Sequence, residues 1–191
     1  MSGPDLQKTR ARAFRDSLIE QLPSLRAFAR SLVQNRSAAD DLVQETVLKA
    51  LKNEAKFKHG TNLRAWLFTI LRNQYYTTLR KTRREVEDID GRHAATLSVR
   101  PDQAGAIEMQ AFQIAFAQLQ PDQREALTLV GASDLSYEEA AAICGCAVGT
   151  IKSRVSRARK RLAELMGINS ATDLSVVNVF EQPARDPLLP A

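Results

Sequence analysis

Cysteine and glycine are scarce in this chain, and several kinds of signal are missing altogether. Of 191 residues only 2 are cysteine, Cys144 and Cys146, too few and too close together for a disulfide framework. A C-x-C pair also lacks the further ligands that zinc needs, since His59 and His93 fall in other segments. The pair therefore reads as packing residues in a turn, and no metal site is expected. No stretch approaches eighteen uninterrupted apolar residues, so a membrane span is excluded. Near the N-terminus, Leu6-Gln7-Lys8-Thr9-Arg10 is polar with no apolar run behind it, unlike a signal peptide. The expected location is the cytoplasm. There is no nucleophile–base pair, no phosphate-binding glycine loop and no metal cluster. Catalysis and cofactors are accordingly not expected. Strand-like alternation of useful length is also missing, which leaves an all-α protein.

What is present is an ordinary globular composition, 44% hydrophobic and 26% charged, with an uneven charge distribution. The net charge is +9 over residues 1–85, −5 over 86–134, +3 over 135–165 and −2 over 166–191. Two basic blocks separated by an acidic one suggest two polyanion-binding units and a connector. Basic faces that are merely solvated remain the alternative at this point.

The first block reads as helical throughout. Phe14, Leu18 and Leu22 recur at four-residue spacing, and Pro23 opens a second helix carrying Leu25, Phe28 and Leu32. Ala39, Leu42, Val43, Thr46, Val47, Ala50 and Leu51 then form a core-facing stripe, with Ser37 as expected N-cap and Asp40 as its partner. A long helix is predicted over residues 63–84 with Leu63, Leu67, Ile70 and Leu71 inward. Periodicity stops over 85–105, where Glu85, Glu87, Asp88, Asp90, two glycines and Pro101 mark a flexible linker. It returns at Met109, Phe112, Phe116 and Leu119, followed by a helix opened by Pro121 and ending near Val130. The tail carries Pro183, Pro187 and Pro190 and is expected to lack stable structure. The organisation is therefore a helical domain at 10–85, a linker at 86–105, a second helical domain at 106–166 and a tail at 167–191.

The second domain holds a helix-turn-helix. Ser136-Tyr137-Glu138-Glu139 is a capping box, Ala140 to Ile143 make a short helix, and Gly145 suits a tight turn. From Val148 a second helix turns Ile151, Val155, Ala158, Leu162 and Leu165 inward. Its other face carries Thr150, Ser153, Arg154, Arg157 and Arg161, flanked by Lys152, Arg159 and Lys160. Arginine pairs bidentately with guanine edges, hydroxyls reach phosphates or base edges, and lysine neutralises the backbone. No acidic residue intervenes between Glu139 and Glu164. Duplex DNA in the major groove is the expected ligand. Ala147 stands where a capping Ser or Asn would be expected, a deficit of about 1 kcal/mol.

The stretch from Leu135 through Ala141, and from Gly149-Thr150-Ile151-Lys152-Ser153-Arg154-Val155 through Arg159, strongly resembles the promoter −35-reading domain of extracytoplasmic-function (ECF) sigma factors. Ala39-Asp40-Asp41-Leu42-Val43-Gln44-Glu45-Thr46-Val47-Leu48-Lys49-Ala50 resembles that family's core-polymerase-binding helix, and Asn62 to Asn73 its −10-reading helix. The resemblance covers residues 12–165 in the right order, and three linked motifs are far more specific than one. Ile143-Cys144-Gly145-Cys146-Ala147-Val148-Gly149 is similar to the branch that runs the general stress response.

The resemblance implies a protein that docks on core RNA polymerase and directs it to promoters, with an anti-sigma factor as a further partner. It implies polymerase binding by Asp40, Asp41, Gln44, Glu45 and Leu48, four of which form an i, i+3, i+4, i+7 face opposite the core stripe. It implies −35 duplex reading by Thr150, Lys152, Ser153, Arg154, Arg157 and Arg161. For the melted −10 strand it implies Lys56, Lys58, Asn62, Arg64, Asn73, Tyr75, Tyr76, Arg80, Lys81 and Arg84. Bases stack on rings while cations hold phosphates, and this segment interleaves Phe57, Trp66, Tyr75 and Tyr76 with basic residues. Trp66, beside Leu63 and Ile70, reads as core rather than contact. Two competitors stay open: a dimeric repressor, which predicts a palindromic operator, and a sigma-like decoy that titrates an anti-sigma factor.

Overall fold

The computed structural model of the chain describes residues 3–33, 35–87, 104–133 and 135–167, with the side chains of 3–8, 83–87 and 104–108 left aside. All regular structure among the described residues is helical. The chain divides into two compact units, residues 1–98 and 99–191. The expected linker and tail lie almost wholly outside the described residues.

Unit 1 consists of α1 (Gly3–Glu20), α2 (Leu22–Leu32), α3 (Arg36–Lys52), a 3-10 turn (Glu54–Lys56) and α4 (Leu63–Glu87). Pro23 lies in the first turn of α2, where its missing N–H costs nothing. The cap of α3 differs from expectation. Asn35, not Ser37, is the N-cap, its side chain accepting from the Ala38 N–H at 3.1 Å, so α3 begins one residue ahead of Ser37.

The α3 stripe buries Ala39, Leu42, Val43, Thr46 and Ala50, leaving Val47 half-buried and Leu51 exposed. Buried Thr46 satisfies its hydroxyl on the Leu42 carbonyl at 2.7 Å. In α4 the inward residues are Leu67, Phe68 and Leu71, while Leu63 and Ile70 are only half-buried. The expected stripe was thus rotated, and it missed Phe68, whose ring stacks on Phe28 of α2 at 4.8 Å. That pair adds about 0.5–1.5 kcal/mol beyond area burial.

Unit 2 consists of α5 (Ala104–Ala117), α6 (Pro121–Leu127), a π-helical turn (Thr128–Ala132), α7 (Tyr137–Cys144) and α8 (Val148–Leu165). The α-helix opened by Pro121 therefore ends earlier than expected, at Leu127, and the π turn carries the chain onward. Met109 of α5, expected inside, is exposed, whereas Ala115 and Leu119 are buried. Arg124 ties α6 to the end of α5 by donating to the Ala117 carbonyl at 2.8 Å.

The turn between α7 and α8 follows from its sequence. The Glu139 N–H donates to Ser136 Oγ at 3.0 Å, and the Ser136 N–H donates to Glu139 Oε2 at 2.9 Å, completing the capping box. Gly145 takes φ +64°, and the Cys146 N–H returns to the Ala141 carbonyl at 3.1 Å. A Cβ at Gly145 would meet no atom within 4 Å, so the backbone angle alone makes glycine the fitting residue. Ile151, Val155, Ala158 and Leu162 of α8 are buried, as their spacing requires.

Candidate functional site

Three surfaces carry the residues singled out by sequence. The first is on α3. Burial of its core stripe turns Asp41, Gln44, Glu45 and Leu48 outward, with Leu48 57% exposed, while Asp40 is half-buried at the edge. Glu45 accepts a hydrogen bond from the Gln74 carboxamide of α4, and Gln74 in turn accepts from Lys49. A groove of about 660 Å³ opens beside this face, with Arg26 and Arg30 of α2 across from Asp40, Val43, Val47 and Leu48. An exposed leucine among carboxylates, bordering a groove, is suited to a protein partner with basic and apolar side chains.

The second surface runs along the loop before α4 and down that helix. Lys56 and Lys58 are exposed. Asn62 caps α4, its Oδ1 accepting from the Ala65 N–H at 3.2 Å. Arg64 is half-buried, and its Nε donates to Gln21 Oε1 at 2.8 Å, anchoring the start of α4 to the α1–α2 corner. Phe57, grouped by sequence with the stacking aromatics, is instead buried, its ring 5.8 Å from Phe14 and 5.3 Å from Trp66. Half-buried Trp66 also meets Phe14 at 6.3 Å, in keeping with its reading as core.

Further along α4, Asn73 is exposed and the Tyr75 and Tyr76 rings meet edge-on at 5.0 Å, both half-buried. The Arg72 guanidinium lies 4.6 Å over the Tyr76 ring. Arg80 and Lys81 are exposed, and Arg80 Nε donates to the Tyr76 carbonyl at 3.2 Å. The Arg84 side chain lies outside the described residues. At 1.5 Å of rise per residue, Tyr75 to Arg80 sit about 20–27 Å from Asn62 along one helix. The set is therefore a track, not a pocket, which suits an extended strand.

The third surface is α8. Lys152 and Arg157 are exposed, Thr150 and Ser153 half-buried, and Arg161 exposed with an ion pair to Glu164 at 3.1 Å. The Ser153 hydroxyl donates to the Thr150 carbonyl at 2.9 Å, and Lys152 Nζ stands 5.8 Å from the Tyr137 ring centre. Arg154 differs from its neighbours: its Nε pairs with Asp122 of α6 at 3.1 Å, and its Nη1 lies 3.9 Å from Cys146 Sγ. Sequence spacing within α8 could not reveal Asp122, which comes from another helix. Among the described residues no cluster of His, Cys, Asp and Glu could hold a metal, Cys144 is buried, and Cys146 is half-buried in the turn. No helix of the described residues is long and apolar enough to cross a membrane.

Two all-helical units, one presenting an acidic face and a basic-aromatic helix, the other a helix-turn-helix, define a sigma-type DNA-binding protein. Two family models agree with this division: Sigma-70 region 2 matches residues 18–85 and Sigma-70 region 4 matches residues 109–162. The ECF RNA polymerase sigma factor EcfG of Rhodopseudomonas palustris is 58% identical over 84% of this chain and 89% of its own. The sigma factor RpoE of Bartonella quintana, solved in complex with the anti-sigma factor NepR, is similar at a TM-score of 0.77. It is 52% identical, and the match covers 83% of this chain and 99% of that one. CnrH, solved with the cytosolic domain of CnrY, is similar at a TM-score of 0.58 and 26% identity, over 83% of this chain and 90% of its own. The chain belongs to the ECF RNA polymerase sigma factors, DNA-binding proteins of transcription initiation.

Proposed function

We propose that the chain docks on core RNA polymerase through Asp40, Asp41, Gln44, Glu45 and Leu48, and grips promoters with both units. In this reading α8 reads the −35 duplex through Thr150, Lys152, Ser153, Arg157 and Arg161. The loop and α4, from Lys56 and Lys58 through Asn62, Arg64, Asn73, Tyr75, Tyr76, Arg80, Lys81 and Arg84, capture the melted −10 strand. The chain performs no catalysis of its own and acts in the cytoplasm. Its genes are those of the general stress response, a reading supported by the Cys144-Gly145-Cys146 turn and by the likeness to EcfG. An anti-sigma factor holds it in check, a reading supported by the solved complex of the similar RpoE with NepR.

The observation that carries this proposal is the division of labour within unit 1. Exposed carboxylates and Leu48 gather on α3, while exposed cations and two tyrosines line α4. A repressor working alone has no use for the acidic face, which would repel its own DNA target. Run-off transcription with purified core polymerase tests the proposal. A start-site-specific transcript is expected with the chain, and none when Asp41→Lys and Glu45→Lys are combined. A transcript unaffected by the double substitution would remove α3 from the docking role.

A further inference from the structure

We infer that Arg154 does not read bases but is a positioning residue, clamped by Asp122 and the Cys146 thiol so that α8 presents its other polar residues at a fixed angle. The inference deepens the reading of α8 as the −35 helix, and rests on it.

Helical geometry separates Arg154 from Arg157 and Ser153, though not from Arg161, which lies about 20° away on the same side. At 100° per residue, Arg154 projects about 70° from the centre of the stripe Ile151, Val155, Ala158 and Leu162. On the same wheel Arg157 projects about 130° away and Ser153 about 170°. Arg154 therefore lies at the seam between α8 and what α8 packs on, and its side chain is only 26% exposed. Arg157, by contrast, is exposed and has no ion pair or hydrogen bond among the described residues.

The partners at that seam come from two other elements. Asp122 sits in the first turn of α6, and Cys146 closes the turn between α7 and α8. One guanidinium thus bridges α6, α8 and the inter-helix turn, through Nε to Asp122 Oδ2 at 3.1 Å and Nη1 to Cys146 Sγ at 3.9 Å. A planar fork with several donors in fixed directions can do this, whereas a lysine ammonium on a flexible stem serves it poorly. The bridge also neutralises Asp122, a carboxylate 49% exposed beside a helix proposed to approach phosphates. An arginine that left this clamp to meet a guanine would release that negative charge against the DNA.

The test uses holoenzyme reconstituted from the full chain and core polymerase. Its probe is the promoter duplex that wild-type holoenzyme selects from a library randomised at −35 and −10. Affinity is measured by fluorescence anisotropy, at a temperature where circular dichroism shows every variant fully helical. Arg154→Ala should weaken binding roughly tenfold on the selected duplex and on all its single −35 base-pair variants alike, leaving the order of preference unchanged. Asp122→Ala should weaken it by about three- to tenfold, and the double variant should be no weaker than Arg154→Ala alone. Asp122→Asn, which still accepts from Nε, should recover most of the loss, a rescue that a generally weakened fold would not show.

The inference is overturned if Arg154→Ala erases preference at one base pair, the mark of a reader. It is equally overturned if Asp122→Ala leaves affinity unchanged or raises it, which would make the pair a brake or an idle surface contact. Failure of the underlying reading looks different: Arg157→Ala would then change neither affinity for the duplex nor its dependence on salt.

Discussion

The Gln74 carboxamide of α4 donates to the Glu45 carboxylate of α3, and its oxygen accepts from Lys49 one turn further along that helix. The contact links the proposed polymerase-docking face to the helix proposed to hold the −10 strand, next to Asn73 and Tyr75. It lies in exposed surroundings, so its worth to stability is small, at most about 1 kcal/mol.

Gln74→Ala should therefore lower the unfolding free energy by no more than about 1 kcal/mol in chemical denaturation. Its effect on core-polymerase binding should be larger relative to that, because Glu45 must then be ordered on docking. Ordering one such side chain costs about 0.5–1.5 kcal/mol, roughly two- to tenfold in Kd. Titration of labelled core polymerase measures this directly. Glu45→Ala made on top of Gln74→Ala should add less than it does in the wild type.

Phe57 illustrates where sequence reasoning misplaced a residue, and a substitution checks the correction. Its ring is buried between Phe14 and Trp66, locking the loop before α4 onto α1. Phe57→Ala should cost about 3–5 kcal/mol. Trp66 is the single tryptophan of the chain, so its emission is a specific reporter of this cluster. A red shift in the folded variant, together with the lowered denaturation midpoint, is the expected result. An unchanged spectrum and midpoint would place Phe57 back among the exposed aromatics.

The contrast between Phe57 and the rest of the fold shows what a linear pattern carries. Helices were legible wherever local chemistry and periodicity agreed, as with the Ser136–Glu139 capping box, Gly145 and the α8 stripe. Face assignments held for most positions where apolar residues were flanked by charges, as on α3, where only Val47 and Leu51 at the edge and end of the stripe are not buried. They slipped where apolar residues surround a helix, as in α4, because Phe68 and Ile70 are equally apolar and only packing against Phe28 selects Phe68. Asn35 was overlooked as the α3 cap because Ser37 offers similar chemistry two residues later. The Asp122–Arg154 and Glu45–Gln74 contacts were not legible, since each joins two helices whose relative placement no spacing rule supplies.

Arg157 is exposed and unengaged among the described residues, so its removal isolates an effect on DNA. Arg157→Ala should change stability by less than about 0.5 kcal/mol. If it contacts a base edge, −35 affinity should fall by about 1–3 kcal/mol with relaxed preference at one position. If it contacts phosphate, affinity should fall for all sequences and the slope of log K against log salt should shrink by about 1. Anisotropy titrations over a salt series separate the two. Unchanged affinity and slope together would remove α8 from the −35 interface.

The start of α8 supplies the last prediction. Ala147 has the extended backbone of an N-cap, φ −68° and ψ 148°, yet offers no side-chain acceptor to the first N–H groups of the helix. Ser136, eleven residues earlier, shows what a cap does in the same domain. Ala147→Ser and Ala147→Asp should each stabilise the chain by about 1 kcal/mol, read as a raised melting temperature. On DNA the two should part. The aspartate adds a negative charge where a phosphate would otherwise meet the positive end of the helix dipole. The serine adds none. Ala147→Asp should thus lower −35 affinity, most steeply at low salt, while Ala147→Ser leaves it close to wild type. Equal affinities for both variants across the salt series would mean that the N-terminus of α8 does not face the DNA backbone. The missing cap would then be a plain loss of stability rather than room left for a phosphate.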